Sequence, residues 1–166
     1  MKQFKKHIIL FYKKFIQKEL IVFIIMGSLY LTIECFWKFE TQLPLFFCGG
    51  VVGMIIDLLN ENPKYYNLKV YQQSLIGVLV VWIFEFITGY IFNIRLGMNL
   101  WDYSRFTYNG IPLHFMGQIS IPYGLLFFML VPFVTWLGDE LRYRLFNQEA
   151  RNYSVFEIYK GLFIGK

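Results

Sequence analysis

Charge is scarce in this chain. Asp, Glu, Lys and Arg make up only 16% of its 166 residues, against about a quarter in an ordinary soluble domain, which excludes a conventional water-facing surface. Histidine and cysteine are scarcer still. His7 and His114 lie far apart, and Cys35 and Cys48 are the whole thiol complement. No metal-ligand cluster can be assembled from them, so no metal and no other cofactor is expected. Two cysteines give no disulfide framework; a bridge near the outer ends of adjacent helices is conceivable, and inert thiols are the plainer reading. Neither a Walker loop nor a Gly-rich phosphate loop occurs, so nucleotide hydrolysis is not expected of this chain itself. Internal repeats and low-complexity segments are also missing.

Apolar and aromatic residues take the place of charge. Hydrophobic residues reach 57%, with 19 Phe, 12 Tyr and 4 Trp. A soluble core of this size has no use for so many rings, whereas lipid-facing surfaces and interfacial belts do. Four apolar runs are evident, at about Leu20–Trp37, Leu43–Leu59, Val70–Phe92 and Phe115–Leu137. Each approaches the length a tilted helix needs to cross a bilayer. Asn60-Glu-Asn-Pro63 and Asn109-Gly110-Ile-Pro112 supply turn signals between them. In lipid every backbone group must be satisfied internally, so helices are the form expected at this size.

The formal charge of +5 raises nucleic acid as a partner, but the basic residues follow topology instead. Thirteen Lys and Arg fall in the N-terminal segment, the 60–69 connection and the tail, and three (Lys38, Arg95 and Arg105) fall on the other side. The positive-inside rule then places both termini in the cytoplasm of a multi-pass plasma-membrane protein, with membrane lipids and no nucleic acid as partners. No small-residue cleavage site follows the first run, so it reads as a retained helix. The expected fold class is an all-α integral membrane protein with four transmembrane helices, N-in/C-in. Residues 1–18 form a basic amphipathic interfacial segment, 19–138 the four-helix domain and 139–166 a cytoplasmic basic tail. Phe4, Ile8, Phe11 and Phe15 recur at helical spacing among lysines, the pattern of a helix lying on an anionic leaflet. Val155, Ile158, Tyr159 and Leu162 repeat it more weakly.

Glu85 stands in the middle of the most apolar run. A carboxyl near the bilayer centre costs roughly 2.5–3.5 kcal/mol on insertion scales, so it faces a protein interior or a wet cavity. The expected site is an outward-opening pocket with Glu85 as its buried acid and Trp82, Trp101 and Tyr103 as its walls. Thr88 one turn on, Asn93, Asp102 and Ser104 complete it. Glu34 and His114 join from neighbouring segments, with Arg95, Arg105 or His114 as charge partners. The competing reading makes Glu85 glue between helices, hydrogen-bonded to a tyrosine or an arginine. On the inner side Gly49, Gly53 and Asp57 follow at four-residue steps, with Asn60 next: a small-residue packing face ending in an acid that pairs with Arg142 or Arg144. Asp139-Glu140 reads as a solvated helix end, and Pro122 and Pro132 as two breaks in the fourth helix.

Several of these stretches resemble a known family. Phe46-Phe-Cys-Gly-Gly-Val-Val-Gly-Met54 with Asn60, Glu85-Phe-Ile-Thr88-Gly89 with Asn93, Leu100-Trp-Asp-Tyr-Ser104 and Gly110-Ile-Pro-Leu113 are similar to the type IV ABC-transporter permeases (CmpB-like) of bacterial membranes. The similarity covers roughly residues 45–137. It departs in the fourth helix, where a tryptophan is expected and the chain reads Gln118-Ile-Ser-Ile-Pro-Tyr123. The resemblance implies a membrane-embedded substrate path and a separate ATP-binding subunit. Four helices are few for transport, so a homodimer or larger complex is expected too. The alternative is an intramembrane enzyme acting on a lipid or isoprenoid, with Glu85 as acid/base; the buried acid beside a Trp-Asp-Tyr-Ser loop is loosely similar to membrane carotenoid cyclases and hydratases. A non-catalytic scaffold is the third reading.

Overall fold

In the computed structural model, residues 2–38, 42–147 and 153–165 are described, with side chains in the first of these segments from 15 to 36. The Phe4–Ile8–Phe11 stripe therefore lies outside the described side chains. Six α-helices follow in order: α1 (Lys2–Lys38), α2 (Leu43–Glu61), the single-turn α3 (Pro63–Tyr66), α4 (Val70–Gly89), α5 (Ile121–Phe146) and α6 (Val155–Ile164). A π-helical turn, Tyr90–Arg95, extends α4. Among the described residues, four helical stretches are long and apolar enough to cross a membrane: Phe15–Phe36, Leu43–Glu61, Val70–Arg95 and Ile121–Phe146.

Local chemistry sets the helix ends. Pro44 and Pro63 stand in the first turns of α2 and α3, where the missing N–H costs nothing. The Asn62 carboxamide oxygen accepts from the Lys64 N–H at 2.9 Å, and Gln72 caps α4 by accepting from the Lys69 N–H at 3.0 Å. Buried Gln73 ties this connection down by donating to the carbonyls of Tyr65, Tyr66 and Leu68. Helix α5 begins six residues later than the apolar pattern suggests. Two short antiparallel hairpins precede it, β1–β2 (Thr107–Tyr108 with Ile111–Pro112) and β3–β4 (His114–Phe115 with Ile119–Ser120). Asn109 and Gly110 both take positive φ, 49° and 79°, as the tight turn between β1 and β2 requires. Pro122 falls in the first turn of α5 and leaves its ladder intact; Pro132 is the proline inside the helix.

Glycine brings the helices together. A Cβ on Gly49 would collide with Tyr30, one on Gly53 with Met26, and one on Gly50 would lie 2.7 Å from the Phe23 ring. The small-residue face of α2 therefore receives α1. Gly77 leaves room for Val131, and Gly124 for the Trp82 ring, where α4 meets α5. Helix α6 folds back on this pair. Its Ile158 and Leu162 are buried against Val70, Phe128 and Trp136, and the Tyr159 hydroxyl donates to the Met129 carbonyl at 2.8 Å. The apolar stripe of the tail thus faces α4 and α5, and Phe156 and Phe163 point outward.

Candidate functional site

The buried face of α4 runs through Ser74, Val81, Glu85 and Thr88, as a 100° step per residue predicts. Glu85 is 8% exposed, and Tyr103 donates its hydroxyl to Glu85 Oε1 at 3.0 Å. Tyr103 reaches this point because the loop between α4 and α5 is folded back over the bundle. Asn93, in the π-helical turn, is its anchor: its oxygen accepts from the Leu100 N–H at 2.6 Å, and its amide donates to the Trp101 carbonyl at 2.9 Å and to Gln118 Oε1 at 2.8 Å. The Trp101 indole N–H donates to the Gln118 carbonyl at 3.0 Å. Gly89 is bare because a Cβ there would strike the Gln118 carboxamide and crowd the Trp101 ring. The Tyr103 ring stacks on Tyr123 of α5 at 4.5 Å between centroids. Burial and the neighbouring Glu85 push its phenol far above the ordinary value, so it stays a proton donor to the carboxyl.

Two cavities meet here. The inner one, about 160 Å³, lies among α1, α2, α4 and α5; its lining is almost wholly apolar and includes Met26, Val52, Ile56, Phe127, Val131 and Glu85. The outer one, about 310 Å³, is polar and is lined by Glu34, Gln42, Asn99, Asp102, Arg105 and the rings of Trp101, Tyr103 and Tyr123. Leu45 and Trp101 line both, forming the partition between vestibule and chamber. Asp102 is exposed at the rim; the backbone N–H and hydroxyl of Ser104, each 2.8 Å away, hold its carboxyl below the usual range.

The predicted residues divide accordingly. Glu85 and Thr88 line the chamber; Trp101 lies between; Glu34, Asp102 and Tyr103 line the vestibule. Thr88 donates to the Phe84 carbonyl at 2.6 Å and so serves its own helix. Asn93 holds the loop and Ser104 the Asp102 turn. Trp82 and His114 belong elsewhere. They line a separate groove with Leu113 and Phe115, Trp82 drawn there by Gly124 and His114 by the Gly117 N–H donating to its Nδ1 at 3.1 Å. Arg95 turns to the Tyr90 hydroxyl, and Arg105 lines the vestibule. Gln118 and Tyr123 escaped the sequence reading, having nothing in their spacing to single them out.

A second polar layer closes the other end of the bundle. Lys18 Nζ lies 2.7 Å from Glu19 Oε1 and 3.3 Å from Asp57 Oδ2, and pairs also with Glu61. Arg142 pairs with Asp139 and lies 3.4 Å from Glu61 Oε1 and 3.8 Å from Asp57 Oδ1. Asn60 and Tyr153 donate to the two Asp139 oxygens at 2.8 and 2.9 Å. Asp139 is thus buried, at 1% exposure, and not solvated as its position suggests. The carboxylates of Glu19, Asp57 and Glu61 come within 4.8 Å of one another, a spacing able to hold a metal ion. The Lys18 ammonium already pairs with all three, and Arg142 adds a second positive charge beside Asp57 and Glu61.

A family model described as "Putative ABC-transporter type IV" matches residues 21–163, well beyond the 45–137 stretch that carries the sequence resemblance. No curated protein and no solved structure matches the chain.

Proposed function

The chain belongs to this ABC-transporter family, and from that premise we propose that it is the transmembrane subunit of a transport complex, holding its substrate at the junction of vestibule and chamber around Glu85. The observation that carries the reading is the pair of cavities sharing Leu45 and Trp101 as their partition, with the Tyr103–Glu85 hydrogen bond beside it. A substrate entering the polar vestibule meets aromatic walls and then an apolar path among four helices. The ion layer of Lys18, Asp57 and Arg142 shuts the far end, so passage requires α1, α2 and α5 to move. Pro132, which cannot donate to the ladder of α5, gives that helix a place to bend. The basic excess on one side orients the chain with both termini in the cytoplasm of the plasma membrane, where a separate ATP-binding subunit supplies energy and a homodimer supplies enough helices.

Gentle extraction from the host membrane followed by native mass spectrometry tests this. The expected result is an assembly containing an ATP-binding chain at fixed stoichiometry. A protomer or homodimer that never carries such a chain overturns the transport reading. A buried acid held by a phenol inside an apolar chamber also suits the second reading, acid/base chemistry on a lipid or isoprenoid; there Glu85→Gln abolishes turnover while the fold survives.

A further inference from the structure

The loop that brings Tyr103 to Glu85 is tied down at one short stretch of chain. The Gly117 carbonyl accepts from the Tyr103 N–H at 2.8 Å, the Gln118 carbonyl from the Trp101 indole at 3.0 Å, and Gln118 Oε1 from the Asn93 amide at 2.8 Å. Met116 and Gly117, both at positive φ, make the turn that presents these acceptors. A side chain outside the pocket holds that turn from behind. His114 Nδ1 accepts the Gly117 N–H at 3.1 Å, which requires a bare Nδ1 and so places the proton of the neutral ring on Nε2. A protonated imidazole carries hydrogen on both nitrogens, and it then offers the Gly117 N–H a donor in place of an acceptor. Nearby charge acts in the same direction. The groove residues beside the ring, Trp82, Leu113, Phe115 and Ile119, are uncharged. The Asp102 carboxyl is within electrostatic reach: held low first by the Ser104 N–H and hydroxyl, it is lowered further by His114 and Arg105, and it stays ionised in weak acid. Its Oδ1 lies 2.7 Å from where a Cβ on Gly117 would stand. An imidazolium at position 114 is therefore attracted to Asp102 and repelled by the Gly117 N–H.

We propose that His114 is a positioning residue of the site: as a neutral imidazole it latches the 116–118 turn, and its protonation releases Tyr103 from Glu85. The inference rests on the pocket of the preceding section and adds its control by protons. The sign follows from the bond. The closed loop holds the neutral ring, so closure is complete at high pH and is lost as pH falls through the range, about 5–8, in which imidazoles change charge. The Tyr103 N–H and hydroxyl belong to one residue, so a turn that lets go of the first withdraws the second from the carboxyl. The latch lies at the end of the bundle away from the ion layer, and it answers to the pH on that side.

Hydrogen exchange on the full chain in phosphatidylcholine nanodiscs tests this, read over residues 100–106 at about pH 5 and about pH 8 and corrected for the intrinsic pH dependence of exchange. The expected result is about ten-fold less protection of the Tyr103 amide at the lower pH, the factor that follows when one hydrogen bond's worth of local stability is lost. Residues 49–53 of α2 are the reference and keep their protection. In His114→Asn the carboxamide oxygen stands where Nδ1 does and cannot titrate, so the loop stays protected at both pH values. In His114→Ala the acceptor is gone, and protection is low at both. Wild-type protection that is equal at the two pH values, a pH effect that survives in either variant, or one shared by residues 49–53 overturns the proposal. An alanine variant protected at both pH values overturns it too. Should His114→Asn fail to fold, His114→Ala alone decides, since it must lose the pH dependence as well as the protection. The measurement needs no partner chain, so its result is separate from the search for an ATP-binding subunit. A partner found together with pH-independent exchange leaves transport standing and removes the latch; the opposite pair of results does the reverse.

Discussion

Removing one hydroxyl group isolates what the Tyr103–Glu85 pair contributes. The bond is 3.0 Å long and both residues are buried. Tyr103→Phe keeps the ring stacked on Tyr123 and withdraws the donor from a desolvated carboxyl. The expected cost is about 1–3 kcal/mol, the scale for a buried polar group that loses a hydrogen bond, read as a lower midpoint in thermal unfolding of the detergent-solubilised chain. An unchanged midpoint would mean that another group or water replaces the phenol. Glu85 was legible in the sequence because a carboxyl amid apolar residues is costly anywhere but in a sheltered place. Its tyrosine was legible as a wall and not as a donor, since helical periodicity says nothing about where a loop returns. Trp82 misled for the same reason: three positions from Glu85 on the same helix, it is turned toward α5 by the gap at Gly124.

Among the elements, the α1–α2 pair shows the clearest link from spacing to packing. Gly49 and Gly53, four residues apart, face Tyr30 and Met26, themselves four apart on the partner helix. Gly53→Val drives a branched side chain into Met26, and overpacking of this kind costs typically 1–3 kcal/mol, or several degrees in melting temperature for a chain of this size. The comparison variant is Gly110→Ala: no atom lies within 4 Å of its Cβ position, so its penalty is confined to the backbone strain of φ 79°. Equal losses in the two variants would remove the packing argument. The connection between α2 and α4 was readable because Asn60-Glu-Asn-Pro63 supplied a turn signal; the end of α5 was not, since the helix runs on past Leu137 to Phe146. Nor was the start of α5. Residues 115–120 continue the apolar run, but Met116 and Gly117 hold φ of 52° and 70°, and a helix cannot contain that pair. Helix α6 shows the same limit in another form, because an apolar stripe marks burial without saying whether lipid or protein covers it.

At the scale of the whole molecule, three tiers stack along the bundle: a polar vestibule beside the 99–105 loop, an apolar chamber, and an ion layer joining α1, α2 and α5. The first two were partly readable from Glu85 and the Trp101–Ser104 loop. The third was readable only in the pairing of Asp57 with Arg142, since Lys18 counts in the sequence as one more basic residue of the N-terminal segment. Its partner Glu61 stands 43 positions away, a separation no local pattern reveals. Lys18 is fully buried and is the cation shared by Glu19, Asp57 and Glu61. Lys18→Met removes that charge and leaves the carboxylates sequestered, a change that costs about 3–5 kcal/mol when one partner of a buried ion pair is lost. The ion layer need not be a net source of stability, because well-packed neutral replacements often match buried pairs. Adding Glu19→Gln and Asp57→Asn to Lys18→Met should therefore recover much of the loss in melting temperature. If the layer serves as the inner closure of the transport path, the repaired triple variant regains its fold and not its transport, because neutral groups cannot re-form the charged contacts each time α1, α2 and α5 close. A triple variant that restores both would reduce the ion layer to packing alone.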